Sequence, residues 1–175
     1  MNNKIVKYPL ILGTIALVAG LLLALVYNIT APIIEENKIK RENSIIIEIF
    51  GEDAKVEDIS NTLTNLETSK GIYSVLKVTD SGNKYYVYKV NTEDNYDKGV
   101  NSYVVAIDNS GFIYKFKMVS YADNFGEYYA SDDYADSVKG KNTLTEDDIV
   151  SRATKSGEPI VESINVAIAH QGRVK

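Results

Sequence analysis

The longest apolar stretch of the chain runs from Tyr8 to Ile29, and between Pro9 and Val26 it contains no charged residue. A helix of about 20 apolar residues crosses the roughly 30 Å hydrocarbon core of a bilayer. Tyr8 and Tyr27 suit the two membrane interfaces. A cleaved signal peptide would have a shorter apolar region followed by a small-residue cleavage site. The pattern therefore predicts an uncleaved membrane anchor.

The charges on the two sides of this segment nearly balance, so the positive-inside rule alone does not fix its orientation. Lys4 and Lys7 precede the segment, whereas Lys38, Lys40 and Arg41 follow it among several glutamates. We expect a short cytoplasmic tail, with the larger carboxyl-terminal domain on the extracytoplasmic side of the cell membrane.

Beyond Pro32 the isoleucines recur with a loose helical period. They predict a helix that rises from the membrane and ends at Gly51. The polar residues 52–70 read as a loop or weak structure. The expected organisation is a cytoplasmic tail and transmembrane anchor at 1–32, a helix with its connecting segment at 33–70, and one domain at 71–175.

Four runs rich in β-branched and aromatic residues predict antiparallel strands. Asp80-Ser81-Gly82-Asn83 separates the first two runs, and Asp108-Asn109-Ser110-Gly111 separates the last two. The second of these turns gives the stronger hairpin signal, because Asn-Ser-Gly readily supplies a positive φ. The four runs are Gly71–Val78, Lys84–Val90, Ser102–Ile107 and Phe112–Val119.

Isoleucines that recur every four residues predict a closing helix from Pro159 to Gln171. Pro159 suits the first helical turn, and Gly172 suits the position just past the end. A shorter helix is expected near Ser131 to Val138. The predicted fold class is α+β: a single amino-terminal transmembrane helix is followed by one domain with a small antiparallel sheet and flanking helices.

Composition removes several kinds of chemistry. The chain has no Cys and one His, His170, which leaves little material for thiolate or imidazole sites and predicts no metal centre. Its 19 Lys and Arg against 24 Asp and Glu give a net charge of −5, so nucleic acid is not an expected partner. Asp132, Asp133 and Asp136 lack the spacing of a calcium loop. We expect His170 to be half-exposed or to cap a helix end.

Hydroxyls and cations crowd the approach to the closing helix, between Asp147 and Ser156. The amino terminus of a helix has unpaired N–H donors and a positive dipole end, so it can hold a phosphate. Arg152 and Lys155 would add charge-assisted contacts. In the alternative interpretation, one of the hydroxyl residues is an ordinary N-cap and the charges are solvated.

The stretch from Asp148 to Thr154 resembles the flavin-attachment motif of FMN-binding domains in membrane electron-transport complexes, commonly written Asp-x-x-Ser-Gly-Ala-Thr. The G subunit of the Rnf complex and the C subunit of the sodium-pumping NADH:quinone oxidoreductase carry this domain, and the present chain reads as a divergent member. The order of anchor, isoleucine-rich helix, hairpin and late motif along the chain also agrees with the layout of this family.

The resemblance implies that FMN is joined to the Thr154 hydroxyl through a phosphoester made by a separate flavin transferase. The resemblance also implies that the glycine-containing loop Tyr121–Tyr129 lies beside the flavin. Besides Thr154, the expected cofactor-binding residues are Asp148, Ser151, Arg152, Ala153, Lys155, Ser156 and Gly126.

The implied function is electron relay inside an ion-translocating complex, together with other membrane subunits that share the catalysis. The chain would then be an electron carrier and not a complete enzyme, with no catalytic residue of its own. Arg152 stands where the family has glycine, and residues 123–127 form a reduced version of the usual loop. Two alternatives stay open: a flavin-free anchored module for extracytoplasmic binding or assembly, and a flavin reductase that holds its flavin noncovalently.

Overall fold

The computed structural model describes residues 3–95, 98–122 and 124–175, without the side chains of residues 3–7, 35 and 38. The chain divides into two compact units, residues 1–40 and residues 41–175. The helix α1 (Asn3–Phe50) runs through the first unit and contributes its last residues to the second.

The first unit is the apolar part of α1. It holds the one described helix that is long and apolar enough to cross a membrane, with a mean hydropathy of 2.6 in its most apolar window and none of that window buried. Pro9 and Pro32 lie inside this helix. The length and composition agree with the predicted anchor from Tyr8 to Ile29.

The second unit is built on a five-stranded sheet in which every strand pairs antiparallel with the next strand along the chain. The predicted α+β fold is confirmed, although the sheet has one strand more than the four runs predicted. The strands are β1 (Lys55–Asp58), β2 (Ile72–Asp80), β3 (Asn83–Glu93), β4 (Val100–Asp108) and β5 (Ile113–Ser120).

The prediction of a loop or weak structure for residues 52–70 is wrong. This segment contains β1, a 3-10 turn at Ser60–Thr62 and the short helix α2 (Asn65–Ser69). All four residues of β1 are exposed, so no apolar alternation marks the strand in the sequence. Thr64 and Glu67 form a capping box that begins α2.

One face of the sheet is covered by the carboxyl-terminal end of α1. Ile45, Ile46 and Phe50 pack there on a small apolar cluster that includes Val87 and Val104. The helix ends at Phe50, one residue before the predicted end at Gly51, because Gly51 adopts a left-handed φ of +80° and donates its N–H to the carbonyl of Ile47.

The other face of the sheet carries the main core and three helices. These helices are α3 (Gly126–Tyr129), α4 (Asp132–Val138) and α5 (Thr154–Val174). Helix α4 confirms the predicted short helix, and the Ser131 hydroxyl caps it by accepting from the N–H of Tyr134.

Helix α5 begins earlier and ends later than its apolar spacing predicts. It starts at Thr154 and runs to Val174, so Pro159 and Gly172 both lie inside it. Its first two residues are exposed and polar, which is why the apolar period starts only with Ile160. Pro159 has no N–H, so the helix lacks one backbone hydrogen bond there.

His170 is buried, so the prediction of a half-exposed or capping histidine is wrong. Only 1% of the residue is exposed. Its Nδ1 lies 3.0 Å from the Tyr88 hydroxyl, and its Nε2 lies 3.2 Å from the carbonyl of Thr62. Because both ring nitrogens have hydrogen-bond partners, the ring serves core packing and joins α5 to the sheet at Tyr88 and to the 3-10 turn at Thr62.

Candidate functional site

A tight turn leads into α5 and carries the centre of the motif. The N–H of Ala153 donates to the carbonyl of Val150 at 3.0 Å, which closes a four-residue turn. Its third residue, Arg152, has a φ of +75°. A positive φ at this position is typical of type II turns and favours glycine, and an L-residue in the left-handed region costs roughly 1–2 kcal/mol. The backbone therefore explains why glycine would suit position 152.

The amino terminus of α5 has no side-chain cap within the described part of the chain. Ala153 occupies the N-cap position and offers no oxygen acceptor, and Thr154 is the first helical residue. Ser151, Thr154 and Ser156 are therefore not the N-cap of α5, so that part of the alternative is wrong. Arg152 and Lys155 are exposed, which agrees with its other part, the solvated charges. The N–H groups of the first turn have no intrahelical acceptor by helix geometry, so they are left as donors at a positive dipole end.

A cavity of about 250 Å³ lies against this helix terminus. Its described lining consists of Phe125 and the five consecutive residues Arg152 to Ser156. Thr154 is exposed, as are Arg152 and Lys155, whereas Ala153 and Ser156 are buried. The Thr154 residue thus faces solvent beside two cations and several N–H donors.

The glycine-containing loop contributes Phe125 to the cavity beside the motif, but Gly126 itself is not part of the described lining. A Cβ on Gly126 would lie 2.4 Å from the Cβ of Tyr121, so only glycine fits at the start of α3. Asp123, which belongs to the same loop, lies outside the described residues.

Asn101 fixes this loop to the sheet. Its Oδ1 accepts from the N–H of Ala122 at 2.9 Å, and its Nδ2 donates to Asp94 at 3.0 Å. Asn101 and Asp94 are both fully buried. Buried and hydrogen-bonded side chains of this kind hold a loop in one position relative to the neighbouring strand.

Asp148 and Ser151 do not join the cavity beside Thr154. Asp148 instead lines a second cavity of about 420 Å³, which is also lined by Tyr128, Ile149 and Val150. Ser151 is exposed in the turn and lines neither of the two cavities. Five of the eight predicted binding residues are therefore brought together, and these five are Arg152, Ala153, Thr154, Lys155 and Ser156.

The Asp148 carboxylate has a structural role in the segment before the turn. It accepts from the N–H of Thr145 at 2.8 Å and forms an ion pair with Lys141. Burial raises the pKa of Asp148, but the hydrogen bonds and the positive charge lower it further, so the pKa lies below its ordinary value.

Sequence reasoning placed Tyr129 at the end of the loop expected beside the flavin, but it missed the contact of this residue with the turn. Its ring is fully buried, and its hydroxyl contacts the backbone of the turn at Val150 and Ala153. In the sequence it is one of 13 tyrosines, and nothing local distinguishes it from the tyrosines that only pack in the core. No cluster of three or more His, Cys, Asp or Glu residues suited to a metal ion occurs among the residues that the structure describes.

Comparison with known families gives a match at the amino-terminal end of the chain. Residues 1–49 match the family model described as the RnfG N-terminal region. The match supports a relationship to the RnfG family of Rnf-complex subunits and, with the apolar helix, a membrane-anchored protein. It ends before the sheet and the motif, so it does not include Thr154. A comparison with curated proteins found no match.

Proposed function

We propose that this chain is the membrane-anchored flavoprotein subunit of an Rnf-type electron-transport complex, with FMN esterified to Thr154. One observation carries the proposal: Thr154 is an exposed hydroxyl residue at the uncapped amino terminus of α5, beside a cavity. The match of residues 1–49 to the RnfG N-terminal region supports membership of such a complex.

The residues around Thr154 fit a phosphate diester. Its single negative charge would be stabilised by the N–H groups of the first turn and by the helix dipole. Arg152 and Lys155, which line the same cavity, would add charge-assisted hydrogen bonds. Ala153 and Ser156 form the buried floor of the cavity. This set of cations and N–H donors suits an anion.

The size of the cavity limits what it can enclose. Pockets for cofactors usually measure about 300–1,000 Å³, and this one measures about 250 Å³. It suits the phosphate and the adjoining part of the sugar chain, so the flavin ring would extend past the cavity. An FMN held here supplies one-electron and two-electron redox chemistry, and the protein supplies position and electrostatics.

Attachment requires an activated flavin donor, because FMN itself is a monoester without a good leaving group. A flavin dinucleotide is suitable. The bond between Thr154 Oγ and the flavin-side phosphorus forms as the pyrophosphate bond breaks, and the nucleoside monophosphate leaves with the hydroxyl proton. A separate flavin transferase would catalyse this exchange, since Thr154 has no general base beside it among the described residues that line the cavity.

The complex would provide the other redox centres and the ion path, through further membrane subunits. The chain would carry electrons between those centres and would bind no organic substrate. We propose that the domain after the anchor lies on the extracytoplasmic side. Labelling of Lys84 or Lys115 in intact cells by a membrane-impermeant amine reagent tests this orientation, and labelling only after lysis would contradict it.

Intact mass of the chain isolated from its native host tests the proposed attachment. The expected mass exceeds that of the polypeptide by FMN less one water, and a flavin-fluorescent band survives denaturing electrophoresis. Thr154→Val should abolish both signals. Thr143→Val, a change at an exposed threonine outside the cavity, is the matched control and should keep both. A native chain that weighs only its amino acids would refute the attachment.

The alternative is a flavin-free anchored module for extracytoplasmic binding or assembly. Arg152 favours it, because a bulky cation stands where the attachment motif has glycine. The same mass measurement separates the two functions. A flavin that is present in the native protein but lost on denaturation would instead indicate noncovalent binding.

A further inference from the structure

The hydroxyl of Tyr129 joins the two ends of the turn that precedes Thr154. The N–H of Val150 donates to Tyr129 Oη at 3.1 Å, and Oη donates to the carbonyl of Ala153 at 3.0 Å. Val150 and Ala153 are the first and last residues of the turn. The hydroxyl therefore reinforces the turn's own hydrogen bond from outside the loop.

The backbone has room for this hydroxyl only because residue 157 is glycine. A Cβ on Gly157 would lie 1.8 Å from Tyr129 Oη and 2.6 Å from its Cζ. The N–H of Gly157 donates to the same Ala153 carbonyl at 2.9 Å. Glycine is unfavourable inside a helix, so its presence so early in α5 has a packing reason, which is the Tyr129 hydroxyl.

The core determines where the hydroxyl lies. The rings of Tyr129 and Tyr134 pack edge to face with their centroids 4.8 Å apart, and Tyr134 packs in the same way on Phe116 at 5.3 Å. Tyr129 is fully buried. A ring enclosed in this way cannot follow a shift of the turn, because close-packed side chains resist displacement. The turn must instead conform to the hydroxyl.

We propose that Tyr129 is a positioning residue for flavin attachment, holding the Val150–Ala153 turn in the conformation that presents Thr154. The inference rests on the proposed function and adds a residue outside the motif to it. The turn needs such a constraint because Arg152 is held at a φ of +75°, where glycine would be preferred. Thr154 follows directly on the turn, so a shift of Ala153 displaces it.

Tyr129→Phe removes the hydroxyl and leaves the ring in the core. The experiment uses the full chain in detergent, a purified flavin transferase and a flavin dinucleotide. The initial rate of attachment is measured by in-gel fluorescence and intact mass over a range of chain concentrations. We expect kcat to fall about tenfold or more and KM to change less, with circular dichroism and cooperative unfolding retained.

Tyr103→Phe is the matched control. Tyr103 is also buried, and its hydroxyl also contacts α5, at Ser163 and at the carbonyl of Ile160. Neither contact touches the turn. We expect this variant to accept flavin at the wild-type rate although it loses a buried hydrogen bond. An equal loss of rate in both variants would mean that general core damage, and not positioning, slows the attachment, and it would overturn the proposal.

Arg152→Gly provides a second and more specific readout. Glycine adopts the positive φ without strain, so the turn should depend less on Tyr129 in that background. The fold reduction caused by Tyr129→Phe should therefore be smaller with Gly at position 152 than with Arg, as a double-mutant cycle measures. The same reduction in both backgrounds would contradict the proposed role.

Hydrogen exchange tests the turn without any flavin. Tyr129→Phe should raise the exchange rate of the Val150 amide on the order of tenfold. Unchanged exchange would overturn the proposal while leaving the proposed function intact. If the wild-type chain accepts no flavin, the proposed function fails and the positioning role fails with it, although the exchange result would still describe the turn.

Discussion

Two of the turns that contain a residue with a positive φ are stabilised in different ways. The β4–β5 hairpin turn has Gly111 at a φ of +93°, and the Asp108 carboxylate accepts from the N–H groups of Ser110 and Phe112 at 2.8 and 3.0 Å. The turn before α5 has Arg152 at +75° and is held by Tyr129 from another helix.

The difference shows where the local sequence alone is sufficient to determine the conformation of a turn. The hairpin turn contains its own acceptor and its own glycine, so its conformation is favoured before the rest of the protein packs. The turn before α5 contains neither a glycine nor a carboxylate of this kind, so its conformation depends on its contacts with Tyr129 of the core. Strained backbone of this kind is found at functional sites, and here it adjoins the free N–H groups that the proposed phosphate needs.

Removal of the external support should have the largest effect on stability. Tyr129→Ala deletes a fully buried aromatic side chain and both of its hydrogen bonds to the turn. We expect the free energy of unfolding, measured by urea titration, to fall by about 3–5 kcal/mol. Tyr128→Ala, at an exposed neighbouring tyrosine, is the control. A loss below about 1 kcal/mol for Tyr129→Ala would mean that the turn supports itself.

Asp148→Asn tests the stability of the segment that precedes the turn before α5. Although burial raises the pKa of Asp148, the bonds from Lys141 and Thr145 hold it below the ordinary value of 3.8. Because the folded pKa is the lower one, the carboxylate stabilises the fold above the unfolded pKa, and this contribution is lost as the pH falls through the folded pKa.

We expect Asp148→Asn to lower the free energy of unfolding by about 1–2 kcal/mol at neutral pH, with a smaller difference from wild type toward pH 3. Urea titrations over this range measure it. The exposed neighbour Asp147 provides the control substitution to Asn. A difference that stayed constant with pH would assign the effect to packing and not to the charge.

Gly111→Ala tests the β4–β5 hairpin turn, which is stabilised by its own residues. A Cβ there would meet only the Gln171 side chain, at an ordinary contact distance of 3.5 Å, so backbone strain is the main cost. We expect a loss of about 1 kcal/mol, since an L-residue is disfavoured at this φ. Thermal and urea unfolding measure it. No loss would show that the hairpin tolerates a left-handed L-residue.

Arg152→Gly is the reciprocal change and should have the smallest effect on stability. It relieves a left-handed L-residue but adds backbone freedom to the unfolded chain. We expect a gain of about 0.5–1 kcal/mol in the free energy of unfolding. A loss would mean that the Arg152 side chain makes stabilising contacts that outweigh the strain.

Local patterns predicted much of the fold, because most elements carry their own signals. The apolar segment, the Asn-Ser-Gly hairpin and the Ser131-capped helix are all determined by residues close together in sequence. Strand β1 has four exposed residues and was missed, since backbone pairing with β2 and not apolar alternation makes it a strand. The start of α5 was missed because the first two residues of the helix are polar and exposed, so the apolar period does not include them.

The candidate site was predictable only in part. Residues 152–156 share a cavity because they are consecutive at a helix start. Tyr129 acts across 24 positions of sequence, and no local pattern reports such a contact. The left-handed φ of Arg152 was equally hidden, because an arginine does not by itself indicate a positive φ.

The packing of the carboxyl-terminal end of α1 on the sheet determines where a soluble fragment of the protein should begin. Glu42 and Lys89 form a mostly buried ion pair at 3.3 Å, and Ile45, Ile46 and Phe50 cover the sheet beyond it. A fragment that began at residue 71 would expose a bare valine-rich surface and leave a lysine without its counter-ion. The expressed fragment should therefore begin upstream of Glu42, so that it keeps the α1 residues that cover this surface.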